Sequence, residues 1–169
     1  MTSAPVFEPK EVLRTLDLHG VRYVLIGGLA ATLHGSPHVT GDTDVCAARD
    51  PENLRRLARA LVALDARFQA PDAAEGVPFA RDEHFLAGVD LVNLVTRHGD
   101  FDVSFRPAGT EGYDDLAARA VTYDLGGVAV PTAALEDVIR SKEAANRPKD
   151  HLTLPILRAL LAHLRVSGR

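Results

Sequence analysis

The sequence predicts an α/β (α+β) domain: a small mixed sheet with packed helices, completed by a C-terminal helical segment. Three observations carry that expectation. Short apolar runs at residues 21–26, 91–96 and 101–105 have strand length and are flanked by glycine, aspartate or proline. Amphipathic stretches alternate with them, as where Leu54, Leu57, Ala58, Leu61 and Val62 recur at helical spacing. Two turn signals, His98-Gly99-Asp100 and Gly126-Gly127, each separate strand-like runs as a hairpin would. The 169 residues suit one domain, 1–169, with a sheet-bearing core at 20–131 and C-terminal helices at 132–169.

Each element has its local reason. Residues 8–19 read as a helix, with Pro9 in its first turn, Gly20 after its end, and Val12, Leu13 and Leu16 as its apolar stripe. Residues 21–26 read as a buried strand ending in the tight turn Gly27-Gly28, followed by a short helix at 30–34 that Gly35-Ser36-Pro37 stops. Residues 40–47 read as the next strand. Asp50-Pro51 is an N-cap with a proline at the first helical position; the helix it starts turns Arg55, Arg56 and Arg59 outward. Residues 69–81 are acidic and punctuated by proline and glycine, which reads as a surface loop.

Strands at 91–96 and 101–105 then form a hairpin; in the second, Phe101, Val103 and Phe105 share one face and Asp102 and Ser104 the other. Residues 112–120 read as a helix and 121–130 as a hairpin turning at Gly126-Gly127. Thr132 is expected to cap a helix running to about Ala145, which Arg147-Pro148 interrupts. A last helix carries Leu157, Leu160, Leu161 and Leu164, with Asp150 as its N-cap and Pro155 in or near its first turns.

Composition narrows the function classes. A hydrophobic content of 46% and a charged content of 25% are ordinary for a globular protein, and a net charge of −4 argues against a broad nucleic-acid-coating surface. Cys46 is the only cysteine, which excludes an internal disulfide and a cysteine-based zinc site. No apolar run approaches the ~20 residues that span a bilayer, and the first residues lack a signal pattern; a cytoplasmic location without membrane contact is expected.

The chemistry concentrates in Gly27-Gly28 and in Asp42-Thr43-Asp44 after Thr40-Gly41. Two adjacent glycines let a ligand approach the backbone, and the helix that follows offers unpaired N–H groups to an anion. On a strand, Asp42 and Asp44 share one face roughly 7 Å apart at Cα. Carboxylates so placed repel unless a cation lies between them, and hard oxygen ligands favour Mg²⁺, which brings phosphates as its other ligands. The plainer reading is a loop with two exposed aspartates. A rival enzymatic reading takes Asp42-Thr43-Asp44-Val45 as the Asp-x-Asp-x-Val opening of a haloacid-dehalogenase-like phosphatase, with Asp42 as nucleophile. Thr40-Gly41 stand where that reading needs a continuous apolar strand, which weighs against it. In-line phosphoryl chemistry with a second metal calls for a third carboxylate, and Asp90, Asp100 and Asp102 are the candidates.

Gly27-Gly28 and Asp42-x-Asp44, with Gly99-Asp100-Phe101-Asp102-Val103 and residues 135–150 behind them, resemble the DNA polymerase beta-type nucleotidyltransferase superfamily. The likeness is strongest to its small bacterial members related to abortive-infection and toxin–antitoxin nucleotidyltransferases, and it covers nearly the whole chain. It implies a nucleotidyltransferase-like mixed sheet and a Mg²⁺-dependent transferase that binds a nucleoside triphosphate, ATP among the candidates. It implies Asp42, Asp44 and Asp102 as metal-binding and catalytic residues, favouring Asp102 over Asp90. Gly27, Gly28 and Lys142 would then bind nucleotide. Many members carry Ser or Thr after the second glycine; this chain has Leu29.

Arg140, Lys142, Arg147, Lys149, Arg158, Arg165 and Arg169 face only Glu143 and Asp150 between residues 138 and 169. In an acidic chain that excess suits a triphosphate or an RNA acceptor, while a solvated helix face explains it equally well for all but Lys142. The acceptor implied by the resemblance is a hydroxyl of transfer RNA, of a partner protein or of a small molecule. With no tryptophan and three tyrosines, no stacking platform for single-stranded RNA is visible. The alternative from another class is a catalytically weak nucleotide-binding or antitoxin-like partner of the same fold.

Overall fold

The computed structural model describes residues 6–168. In chain order the elements are α1 (Pro9–Leu18), β1 (Tyr23–Ile26), α2 (Gly27–Leu33), β2 (Asp42–Ala47), α3 (Pro51–Ala63), β3 (Arg67–Ala70), β4 (Ala73–Val77), α4 (Glu83–Ala87), β5 (Leu91–Thr96), β6 (Gly99–Ser104), α5 (Tyr113–Ala117), β7 (Val121–Asp124), β8 (Ala129–Thr132), α6 (Leu135–Ala145) and α7 (Pro148–Val166). The strands form one mixed sheet in the order β4-β3-β5-β6-β2-β1-β8-β7. β2 runs parallel to β6 and β1 parallel to β8, while the other neighbours are antiparallel. No described helix is long and apolar enough to cross a membrane.

The expected α/β architecture is the one observed, and the local signals explain much of it. Asp50 accepts a hydrogen bond from the Asn53 backbone N–H at 3.1 Å, and Pro51 opens α3. β5 and β6 join at Arg97-His98 in a tight hairpin, and β7 and β8 turn through Gly126-Gly127, both glycines having positive φ. On β2 and β6 the alternation sends Thr43, Val45, Phe101 and Val103 into the core and leaves Asp42, Asp44 and Asp102 on the opposite face, half-buried.

Five local expectations are corrected. Residues 69–81 are not a plain loop: β3 and β4 form a hairpin on the sheet edge. Phe68 on β3 stacks on Phe79 at 4.2 Å between ring centroids and meets Phe85 edge-on at 5.5 Å, so packing overrides the loop-like composition. α2 begins at Gly27 rather than at residue 30, so the glycines are its first turn instead of a turn before it. Thr132 does not cap α6; it is buried in β8, and Ala134 holds the cap position. Asp150 is the third residue of α7, inside a reciprocal cap with Arg147, and is not the N-cap. Val62 faces solvent, since α3 buries the stripe that contains Leu54, Leu57 and Leu61. Two bounds also shift: β2 starts at Asp42 and not at residue 40, and α5 is shorter than the expected 112–120; Pro155 stands in the interior of α7.

Candidate active site

β2 lies between β1 and β6, and this placement assembles the acidic centre. The parallel pairing of β2 with β6 sets Asp44 beside Asp102 and Asp42 beside Asp100. Asp42, Asp44 and Asp102 each bring one carboxylate oxygen within 4.8 Å of the others. Asp90 is elsewhere: it is 80% exposed and pairs with Arg49 at 2.9 Å. Asp100 accepts a hydrogen bond from Gln69 at 3.1 Å on the open side of the sheet.

The electrostatics of the three carboxylates follow from their crowding. Burial lifts the pKa of Asp44 to about 7, and the charges of Asp42 and Asp102 add to the rise; Lys149 and Arg147 oppose it. Asp102 is also raised by burial. The Asn93 side chain, its cross-strand partner, hydrogen-bonds the carboxylate and pulls the other way, while the charge of Asp42 adds to the increase. Three carboxylates this close together form a set whose crowded charge a divalent cation would relieve. All-oxygen donors suit a hard ion such as Mg²⁺. Asp42, Asp44 and Asp102 are the residues that could hold it.

The glycines make room for this centre. Gly27 has φ +68°, and a Cβ there would stand 2.6 Å from Asp44 Oδ2. Gly28 lies under Thr40, whose Oγ1 donates a hydrogen bond to Asp42 Oδ1 at 2.6 Å. Leu29, the residue after the pair, is buried in the core.

Opposite the glycines, the α6–α7 corner supplies positive charge. Asn146 ends α6 in the left-handed conformation, and Arg147-Pro148 starts α7 at once. The fully buried Asp150 ties the corner together: Arg147 Nε donates to it at 2.8 Å and Lys142 Nζ lies 3.3 Å away. Burial alone would raise the Asp150 pKa, but the Arg147 hydrogen bonds and the Lys142 charge outweigh it and hold the carboxyl below its ordinary range. A cleft of about 280 Å³ separates the two sides, with Gly27, Gly28, Asp42 and Asp44 on one wall and Lys142, Arg147 and Lys149 on the other.

The candidates Asp42, Asp44, Asp102, Gly27, Gly28 and Lys142 therefore meet around one region, while Asp90 does not. Two neighbours of the centre were not singled out in the sequence, Thr40 and Asn93. Thr40 was legible as a hydroxyl two residues before Asp42; Asn93 required the β5–β6 register. Among the histidines, His34 is structural: one ring nitrogen is 2.7 Å from the Ala133 carbonyl oxygen and the other 2.9 Å from the Tyr123 hydroxyl.

No protein-family model matches the chain, and no curated protein resembles it significantly in sequence. Solved structures do share its fold. The lincosamide antibiotic adenylyltransferase LnuA, in its lincomycin-bound form, superposes with a TM-score of 0.59 at 14% identity, over 92% of this chain and 99% of that one. ANT(2″)-Ia in complex with adenylyl-2″-tobramycin gives 0.51 at 16% identity, over 95% and 96%. A Thermotoga maritima protein described as a candidate nucleotidyltransferase gives 0.50 at 18% identity, over 91% and 90%. At these identities the likeness establishes a nucleotidyltransferase-like fold.

Proposed function

We propose that this protein is a Mg²⁺-dependent nucleotidyltransferase. It would move a nucleoside monophosphate from a nucleoside triphosphate, ATP included, to an acceptor hydroxyl and release pyrophosphate. The observation that carries this reading is the convergence of Asp42, Asp44 and Asp102, with Asp42 and Asp44 facing Lys142, Arg147 and Lys149 across a cleft. A bound Mg²⁺ would supply charge neutralisation at the reacting phosphate. Gly27 and Gly28 line the same cleft as the nucleotide-binding residues of this reading, and the basic corner offsets the charge of the triphosphate and of the departing pyrophosphate. The acceptor oxygen forms its bond to the α-phosphorus as the bond to the β-phosphate bridging oxygen breaks. Asp102, held beside Asp44 by the β2–β6 register, is the residue assigned to take the acceptor proton.

The acceptor belongs on the far side of Asp102 from the glycines, over β5 and β3. Leu91, Asn93 and Gln69 stand exposed there, with no aromatic ring among them to stack a base. That favours a small-molecule or protein hydroxyl over single-stranded RNA, and the antibiotic substrates of the structurally similar proteins make a small acceptor one arm of the test. A second reading has its own support. Leu29 supplies no hydroxyl and Lys142 is engaged by Asp150, as in a catalytically weak nucleotide-binding or antitoxin-like partner.

Incubation with each α-labelled nucleoside triphosphate, Mg²⁺ and fractions of RNA, protein and small molecules separates the two. Label in an acceptor with stoichiometric pyrophosphate supports transfer; nucleotide binding without pyrophosphate supports the partner protein. Label in transfer RNA or in a cognate protein would also supply the toxin–antitoxin context.

A further inference from the structure

The residue after the glycine pair is buried Leu29, which offers no hydroxyl beside Gly28. Thr32, one helical turn on, does not provide one: its Oγ1 donates back to the Gly28 carbonyl oxygen at 3.0 Å. Thr40 is the one that reaches. Its Cβ and its Oγ1 both lie 2.9 Å from the position a Gly28 Cβ would occupy, so the side chain sits in the notch that the missing Cβ leaves. Gly28 is not among the glycines with positive φ, so it is needed here for space and not for backbone conformation. Threonine is stiff at χ1, and the notch limits its movement further.

From that notch Thr40 Oγ1 donates to Asp42 Oδ1 at 2.6 Å, a distance typical of a hydroxyl bound to an ionised carboxylate. We propose that Thr40 is the positioning residue of the acidic centre: seated over Gly28, it fixes the Asp42 carboxylate by Oδ1 and leaves Oδ2 to a divalent cation. This rests on the metal-centred reading of Asp42, Asp44 and Asp102, and it adds a role for the second glycine. Gly27 admits the Asp44 carboxylate; Gly28 admits the side chain that aims Asp42. The glycine pair thus serves both aspartates, one glycine each. Partners that orient a metal ligand typically account for 10–100-fold in metal affinity.

Mn²⁺ is the probe, titrated by electron paramagnetic resonance without nucleotide so that turnover plays no part. Thr40→Val keeps the shape and removes the donor, and should weaken Mn²⁺ binding about 10-fold or more. Thr40→Ser restores the hydroxyl and should stay within about threefold of wild type. Gly28→Ala displaces Thr40 and should reproduce the valine defect, with the double variant Gly28→Ala/Thr40→Val little worse than either single one. If the valine variant melts early, Thr40→Cys reads the same loss of a strong donor in a smaller side chain. Wild-type Mn²⁺ affinity in a folded Thr40→Val or Thr40→Cys protein overturns this role alone. A wild-type protein that binds no Mn²⁺ overturns the metal-centred reading with it. Equal losses in the serine and valine variants would show that Thr40 acts through shape and not through its hydroxyl, which also overturns the proposal.

Discussion

The Asp44 carboxylate occupies the space above Gly27: a Cβ on that glycine would stand 2.6 Å from Asp44 Oδ2 and 3.1 Å from its Cγ. Strand pairing enforces the approach, because Ile26, the residue before Gly27, is the register partner of Asp44. Gly27 also has φ +68°, which an L side chain adopts only with strain. Gly27→Ala should therefore cost about 1–3 kcal/mol of stability. It should also displace Asp44 and lower kcat/KM by at least about 100-fold, as a misplacement near 1 Å can. Chemical denaturation and label transfer read the two effects. A variant that is destabilised yet fully active would separate the glycine from the acidic centre.

The register that sets Asp102 beside Asp44 makes a sharp contrast with Asp90, which is exposed and paired with Arg49. Asp42→Asn, Asp44→Asn and Asp102→Asn should each abolish nucleotidyl transfer and leave the protein folded. Asp90→Asn should keep most of the activity, since its loss removes only an exposed ion pair worth about 0–1 kcal/mol. Transfer assays with melting curves on the four variants decide the matter. An inactive Asp90→Asn with an active Asp102→Asn would mean that β6 does not bring its carboxylate to the reaction.

What was legible in the sequence was whatever local chemistry dictates. The apolar alternation around Asp102 fixes which way its carboxylate points, the Asp50-Pro51 pair announces α3, and Gly126-Gly127 mark the β7–β8 turn. What was not legible depends on partners far away in the chain. β3 and β4 read as a loop because Phe68 and Phe79 reveal a hairpin only once they stack and β3 pairs with β5. Glycine is a poor helix former, so the start of α2 at Gly27 opposes local propensity; the pairing of β1 with β2 places it there. The Lys142–Asp150 contact needed the left-handed Asn146 to fold α7 back beside α6, and nothing in that asparagine alone announces the turn.

Burial and the charges of Asp42 and Asp102 set the pH dependence of Asp44. Its pKa rises from 3.8 to about 7, so between those values the folded protein holds a proton that the unfolded chain has released. Stability of the metal-free protein should thus fall as pH rises through this window, and the fall should end above about 7. Divalent cation needs the ionised form, so stabilisation by Mg²⁺ should grow from pH 6 to pH 8. Melting at fixed ionic strength, with and without Mg²⁺, tests both slopes. Asp44→Asn should flatten them, and an unchanged pH profile in that variant would assign the effect to another group.

The last contrast lies on the basic wall, where two lysines face the same cleft from different settings. Lys142 is largely buried, 13% exposed in its side chain, and its Nζ lies 3.3 Å from the buried Asp150. Lys149 is exposed, and its charge opposes the rise of the Asp44 pKa ahead of that of Arg147. Lys142→Ala should therefore act on two levels. It leaves Asp150 to Arg147 alone, which should lower stability, although less than the roughly 3–5 kcal/mol of a fully broken buried pair. It also removes a cation from the triphosphate side and should lower kcat/KM by about 10–1,000-fold, equivalent to roughly 1.4–4 kcal/mol of transition-state stabilisation. Lys142→Arg should recover only part of that activity, because a planar guanidinium does not replace a compact ammonium against Asp150. Lys149→Ala should lower kcat/KM with no loss of melting temperature. Comparing kcat/KM with the metal-free melting temperature in these variants separates the roles. If Lys142→Ala destabilises the protein yet turns over normally, Lys142 belongs to the framework of the α6–α7 corner, and Lys149 with Arg147 carries the triphosphate charge.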